Sequence, residues 1–260
     1  MTAPPNSEVT GKPAPTGAGF APWREWPFVH DFVDKMWDPE NNPHHSIIGL
    51  TGSGKSYLGI NGILKPMCSN DRVLIIDTKR NDKLVASIGK PVDAIPPKTW
   101  PTRKREPRDA WFRLVVHDQF RTEGRAKAKL QVFNALERVY NEGDWVVYCD
   151  ELQDIGGRQQ PNLGLAMHLD ELYRKGRSRH LSVVANTQAP RNVPTSFYDQ
   201  ASFMWMGRLG DEDKQKRLRE IGGLPKDALP IVSKLKQRHW LLCADNGMHF
   251  MRTQVKVNES

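Results

Sequence analysis

Eight consecutive residues carry the most specific chemistry in the chain. Gly49-Leu50-Thr51-Gly52-Ser53-Gly54-Lys55-Ser56 matches the pattern G-x-x-x-x-G-K-[ST] in full. In such a loop the glycines let backbone N–H groups turn inward around phosphates, and the helix that follows adds the positive partial charge of its N-terminus. Lys55 is then placed to reach the β- and γ-phosphates and Ser56 to hold Mg²⁺. The residues expected to line a nucleotide are therefore Gly49, Thr51, Gly52, Ser53, Gly54, Lys55, Ser56 and Tyr57, with ATP and Mg²⁺ as cofactors. Hydrolysis needs a carboxylate for the metal and a group that activates water. The run Trp145-Val146-Val147-Tyr148-Cys149 ends in Asp150 and Glu151, so one buried strand delivers both acids: Asp150 for the metal's water shell, Glu151 as general base. Farther on, Val183-Val184-Ala185 leads into Asn186-Thr187-Gln188, and Gln188 is expected to sense the γ-phosphate with the other two as neighbours.

These groups need a frame that brings strand ends together. From Ser46 onward short apolar runs alternate with helical patterns, which predicts an α/β fold with a mostly parallel sheet covered by helices on both faces. The runs place strands near Ile47 to Leu50, Val73 to Ile76, Phe112 to Val116, Val146 to Cys149, Leu181 to Ala185 and Phe203 to Met206. Helices are expected at Lys55 to Leu64, Ala126 to Tyr140, Leu165 to Arg174 and Glu212 to Ile221. Asp245-Asn246-Gly247 between two apolar runs predicts a C-terminal β-hairpin, since Asn-Gly favours the positive φ that tight hairpins need. Residues 1–21, rich in Pro, Ala, Gly, Thr and Ser, read as a disordered tail. Residues 22–45 carry Trp23, Trp26, Phe28, Phe32 and Trp37 and read as an aromatic lead-in, which leaves 46–260 as the ATPase domain. Four prolines and five cations between Pro96 and Arg108 predict a basic loop, and Gly156 to Asn162 a polar one.

The chain has 260 residues, 38% hydrophobic and 26% charged, with a net charge of +8; this is the composition of a basic globular protein, for which a polyanionic partner is reasonable. Cys68, Cys149 and Cys243 show no zinc-site or disulfide spacing and suit a reducing cytosol. No run of apolar residues is long enough to span a membrane, and no signal-peptide pattern opens the chain.

The order of these motifs resembles the FtsK/HerA superfamily of DNA-pumping ATPases, especially the small genome-packaging ATPases of membrane-containing double-stranded DNA viruses. The likeness rests on the P-loop, on Ile76-Asp77-Thr78-Lys79 beside the family's Asp-Pro-Lys, on Asp150-Glu151, and on Arg174-Lys175-Gly176-Arg177 leading to Ala185-Asn186-Thr187-Gln188. Thr78 stands where the family has proline, and Ala189-Pro190 where Arg-Pro is common. The resemblance implies a RecA-like core, ATP-driven movement of double-stranded DNA, a homo-oligomeric ring such as a hexamer, and a capsid vertex protein as a further partner in the cytoplasm of a host cell. It also implies that an arginine completes the site of a neighbouring subunit. Arg177 matches the family's Gly-Arg step, with Arg174 and Arg179 as alternatives; three arginines, Lys175 and His180 crowd one short connection. Other readings of the same motifs are a conjugation, plasmid-transfer or filamentous-phage assembly ATPase, a small-molecule kinase, and a nucleotide switch. The Glu151 base beside the metal position argues against the last two.

Overall fold

Runs of Val, Ile, Leu and aromatic residues that lack a polar face are what strands covered on both sides require. In the computed structural model, which describes residues 21–38, 41, 43–69, 71–79, 82–96, 111–209, 228–244 and 249–256, they form β1 (His45–Ile48), β2 (Arg72–Asp77), β3 (Lys90–Val92), β4 (Trp111–Val115), β5 (Trp145–Cys149), β6 (Ser182–Thr187), β7 (Phe203–Met206), β8 (His239–Ala244) and β9 (His249–Gln254). One sheet holds them in the order β3-β4-β2-β5-β6-β1-β7-β8-β9. All pairings as far as β7 are parallel, and β7–β8 and β8–β9 are antiparallel. This is the mostly parallel core with a C-terminal strand pair that the sequence predicts; the short edge strand β3, two of whose three residues are exposed, was not legible there.

The helices are α1 (Trp26–Met36), α2 (Lys55–Tyr57), α3 (Lys65–Met67), α4 (Lys83–Ala86), α5 (Thr122–Glu142), α6 (Leu152–Gly156), α7 (Ala166–Lys175), α8 (Ser196–Asp199) and α9 (Ala228–Lys234). Between α2 and α3 the chain is π-helical over Leu58–Leu64, so the helix expected from Lys55 is wider than an α-helix through its middle. The aromatic lead-in is helical: Pro27 opens α1, and Trp26, Val29 and Val33 face inward at helical spacing. Burying such side chains stabilises by about 1.5–3 kcal/mol each.

Alternation along β5 sorts its side chains between two cores. Trp145, Val147 and Cys149 pack under α5 and α7, against Ala128, Leu136, Leu169 and Leu172. Val146 and Tyr148 pack on the other face, with Ile47, Leu58, Ile63 and Trp26. Gly59 makes one contact possible, because a β-carbon there would lie 2.7 Å from Tyr148 Cε2. The helix expected at Glu212 to Ile221, the cations from Lys98 to Arg108, the turn at Asp245 to Gly247 and the tail before Ala21 lie outside the described residues.

Candidate active site

Parallel register brings three chain segments to one edge. Ile48 pairs with Thr187 and Cys149 with Ala185, so β1, β5 and β6 all release the chain on the side where the P-loop, the two acids and Gln188 begin. The Gly49 N–H donates to the Thr187 carbonyl at 3.2 Å and the Leu50 N–H to the Arg208 carbonyl at 3.3 Å, which pins the loop between β6 and β7. Gly52 and Gly54 lie at φ 76° and 96°, left-handed positions that only glycine takes without strain. Lys55 is 7% exposed and its Nζ donates to the Leu50 carbonyl at 3.1 Å, folding over the loop. Thr51 donates its hydroxyl to Gln188 Oε1, so the expected sensor touches the P-loop directly. The ring of Tyr57 lies on the outer flank of the loop under the Arg238 guanidinium, 4.0 Å from ring centre.

Asp150 and Glu151 are each 2% exposed. A buried carboxylate costs several kcal/mol unless charges and hydrogen bonds compensate it, and here the compensation is explicit. Asp150 Oδ1 accepts from the Ser56 hydroxyl at 2.7 Å, the Tyr148 phenol at 3.0 Å and Asn186 Nδ2 at 3.1 Å. Lys79 Nζ lies 3.1 Å from Asp150 Oδ2 and pairs with Glu151 Oε1. Gln153 donates to Glu151 Oε2, and the Gln153 carbonyl oxygen accepts from Thr187 Oγ1 at 2.8 Å. A chain of contacts thus runs from β6 through Gln153 to the expected base. Burial pulls the Lys79 ammonium down, but Asp150 and Glu151 together outweigh it and raise its pKa above the ordinary lysine value. Burial, with Asp150 beside it, holds the Tyr148 phenol protonated well past its usual range. Burial first and then the Glu151 charge raise the Asp154 carboxyl.

The arginines lie elsewhere. Arg174 lies in the last turn of α7, and Arg177 and Arg179 sit in the 3₁₀ turn Gly176–Arg179 that enters β6 from its amino end. Six residues of β6 separate that turn from Gln188, about 20 Å at 3.3 Å per residue. Arg174 pairs with Asp170 at 2.9 Å, and the Arg179 guanidinium stacks 5.4 Å over Tyr140. Within one chain the three arginines therefore do not join Lys55, Ser56, Asp150, Glu151 and Gln188. Sequence reasoning gave no role to Tyr148, Gln153 or Arg238. Tyr148 had a signal, since two positions before Asp150 on a strand is the same face; Gln153 and Arg238 had none.

The donor set at Ser56 and Asp150 is all oxygen, which suits Mg²⁺. No group of three or more His, Cys, Asp or Glu side chains among the described residues could hold a metal by itself. Loop glycines, lysine, hydroxyl and paired acids on one edge of a mostly parallel sheet define a P-loop NTPase fold.

No family model matches the sequence, and no curated protein matches it. Among solved structures the chain is similar to the genome packaging NTPase B204 from Sulfolobus turreted icosahedral virus 2. With its sulfate complex it shares 18% identity and a TM-score of 0.60 over 83% of this chain and 98% of that one. The AMPPCP complex gives 18% and 0.60 over 85% and 100%. It is also similar to VirB4 of Thermoanaerobacter pseudethanolicus, at 13% identity and a TM-score of 0.61 over 87% of this chain and 93% of that one. At these identities the likeness is one of fold.

Proposed function

We propose that the chain is an ATP-hydrolysing motor that translocates double-stranded DNA, in the manner of a viral genome-packaging enzyme. The observation that carries the hydrolytic part is the Ser56–Asp150 hydrogen bond of 2.7 Å with buried Glu151 one residue on: a metal position and a water-activating base share one strand end. Lys55 balances charge on the β- and γ-phosphates, and backbone N–H groups from Gly52 to Tyr57 hold them in line. Ser56 and Asp150 would hold Mg²⁺, which would supply positive charge against the phosphate oxygens. Glu151 takes a proton from the attacking water once Lys79 and Gln153 let it turn, and Gln188 reads the γ-phosphate through its contact with Thr51. The DNA part is supported by the net charge of +8 and by the fold shared with B204. A homo-oligomeric ring, with an arginine of each subunit completing the next site, belongs to the same reading and is supported by the exposure of Arg174, Arg177 and Arg179.

The fold shared with VirB4 favours a second reading, a transfer ATPase whose cargo is not packaged DNA. No helix of the described residues is long and apolar enough to cross a membrane. The experiment that separates these readings measures ATPase rate with and without duplex DNA beside the mass of the assembly. DNA stimulation at a ring-sized mass supports the packaging motor; a DNA-independent ring supports the transfer ATPase; a DNA-independent monomer overturns both.

A further inference from the structure

Arg238 flanks the P-loop on the side away from the carboxylates. It stands just before β8 at φ 59°, an uncommon conformation for a residue with a β-carbon and one that surroundings must hold. Its N–H donates to the Ser53 carbonyl at 2.9 Å, and its own carbonyl accepts from the Val255 N–H at 3.1 Å. The side chain then crosses Gly54, where a β-carbon would lie 3.1 Å from Arg238 Cγ. It ends with the guanidinium carbon 4.0 Å over the Tyr57 ring. Over an aromatic face, a guanidinium still has N–H donors that the ring does not engage. The side chain is exposed.

Sheet order says which end of a nucleotide Arg238 would meet. Ser56–Asp150 and Thr51–Gln188 tie the loop to β5 and β6 on one side of β1. β8 is the second strand away on the other side, about 10 Å across two strand spacings. A polyphosphate with its γ end toward the carboxylates therefore runs with its α end toward Tyr57 and Arg238. We propose that Arg238 is a nucleotide-binding residue whose guanidinium, steadied on Tyr57, pairs with the α-phosphate. This rests on the nucleotide-binding reading above and adds to it a contact from the C-terminal strand pair.

Calorimetric titration of the full chain with ADP, a non-hydrolysable ATP analogue, AMP and adenosine tests it. Arg238→Gly removes the side chain at a φ that glycine accepts, and Arg238→Lys keeps the charge. A charge-assisted hydrogen bond predicts about a tenfold or greater loss for ADP and the ATP analogue alike in Arg238→Gly. Adenosine binding should not change, Arg238→Lys should be partly restored, and the salt dependence of ADP binding should flatten. Should Arg238→Gly fold poorly, Arg238→Gln carries the same test. Unchanged ADP affinity overturns the inference, as does loss confined to the ATP analogue, which would mark a γ-phosphate contact, or equal loss for adenosine, which would mark a base contact. A wild-type chain that binds none of the four sinks the nucleotide reading as well, so the two failures are distinguishable.

Discussion

At the carboxyl edge of the sheet Asp150 and Glu151 are 2% exposed and bonded by side chains from β5, β6, the P-loop and Lys79. At the amino edge, Arg174, Arg177 and Arg179 are exposed; one pairs along its own helix, one stacks on Tyr140, and Arg177 has no ionic partner among the described residues. Buried charge must be compensated inside the chain that buries it, whereas exposed charge costs little to leave for another molecule. The first edge has its charges compensated within the chain, and the second leaves its charges in solvent.

Replacing residues of the compensated edge should have the largest effect. Lys55→Ala is expected to abolish turnover, because it removes the loop's mobile positive charge from the γ-phosphate. Glu151→Gln should bind ATP and stall. Near-normal hydrolysis by Lys55→Ala, or an ATP affinity in Glu151→Gln as poor as that of Lys55→Ala, would undo the assignment. Next comes Arg177→Ala, for which a finger acting in trans predicts a fall of about 10³-fold or more. Mixing Arg177→Ala with Glu151→Gln subunits should restore part of the activity, since one kind of interface then holds both intact groups. Mixed rings of confirmed composition with no recovery would return the arginines to DNA binding or to plain solvation.

Acid should separate the two edges. His44 Nδ1 accepts from the Val183 N–H at 3.1 Å while Nε2 faces the Tyr173 carbonyl at 3.0 Å, so a neutral ring ties β6 to the helix that carries Arg174. Burial lowers His44 from 6.5 to about 4, and burial and then His44 lower His45 to about 3. A base whose folded pKa is depressed binds protons more readily unfolded, so stability is intact above pH 6.5 and falls as pH drops toward 4. We expect a loss of up to about 3 kcal/mol from each of the two histidines over that interval. Hydrogen exchange should show Leu181 to Val183 opening before Gly49 to Ser56; simultaneous opening would refute the separation. The smallest effect is expected for Lys79→Met. With 38% of that side chain exposed solvent screens much of its charge, and the melting temperature should fall by about 2–4 °C and recover with added Mg²⁺. A variant as stable as wild type, or one that Mg²⁺ does not rescue, would deny Lys79 its part in holding the acids.

The same contrast governs what the sequence could disclose. The P-loop, Asp150-Glu151 and the parallel sheet were legible because each rests on a local pattern: glycine spacing, an apolar run, a change of period. Gln153 reaches Glu151 two positions away, at the start of α6, but meets Thr187 from another strand, and Arg238 meets Tyr57 across 181 positions, so neither leaves a trace in spacing. The strand β6 runs on through Thr187, which buries Asn186 and Thr187 as partners of Asp150 and Gln153 beside the exposed Gln188–Thr51 contact. The edge on which the arginines lie follows from strand direction, which becomes certain only once β6 is seen parallel to β1.

The lead-in and the last strand clasp each other: the Arg24 N–H donates to the Arg252 carbonyl and the Arg252 N–H to the Pro22 carbonyl, both at 2.8 Å, while Arg252 Nε bonds Ala21 across 231 positions. On the ribosome this makes the earliest of these residues wait for the latest. At roughly 5–20 residues per second the interval is about 10–50 s, during which Trp26, Val29 and Val33 have no finished sheet to cover and Trp205, which Trp26 meets at 6.1 Å, has not yet been made for most of it. The nascent chain therefore carries an amphipathic helix whose apolar face has nothing to cover until the later strands are made.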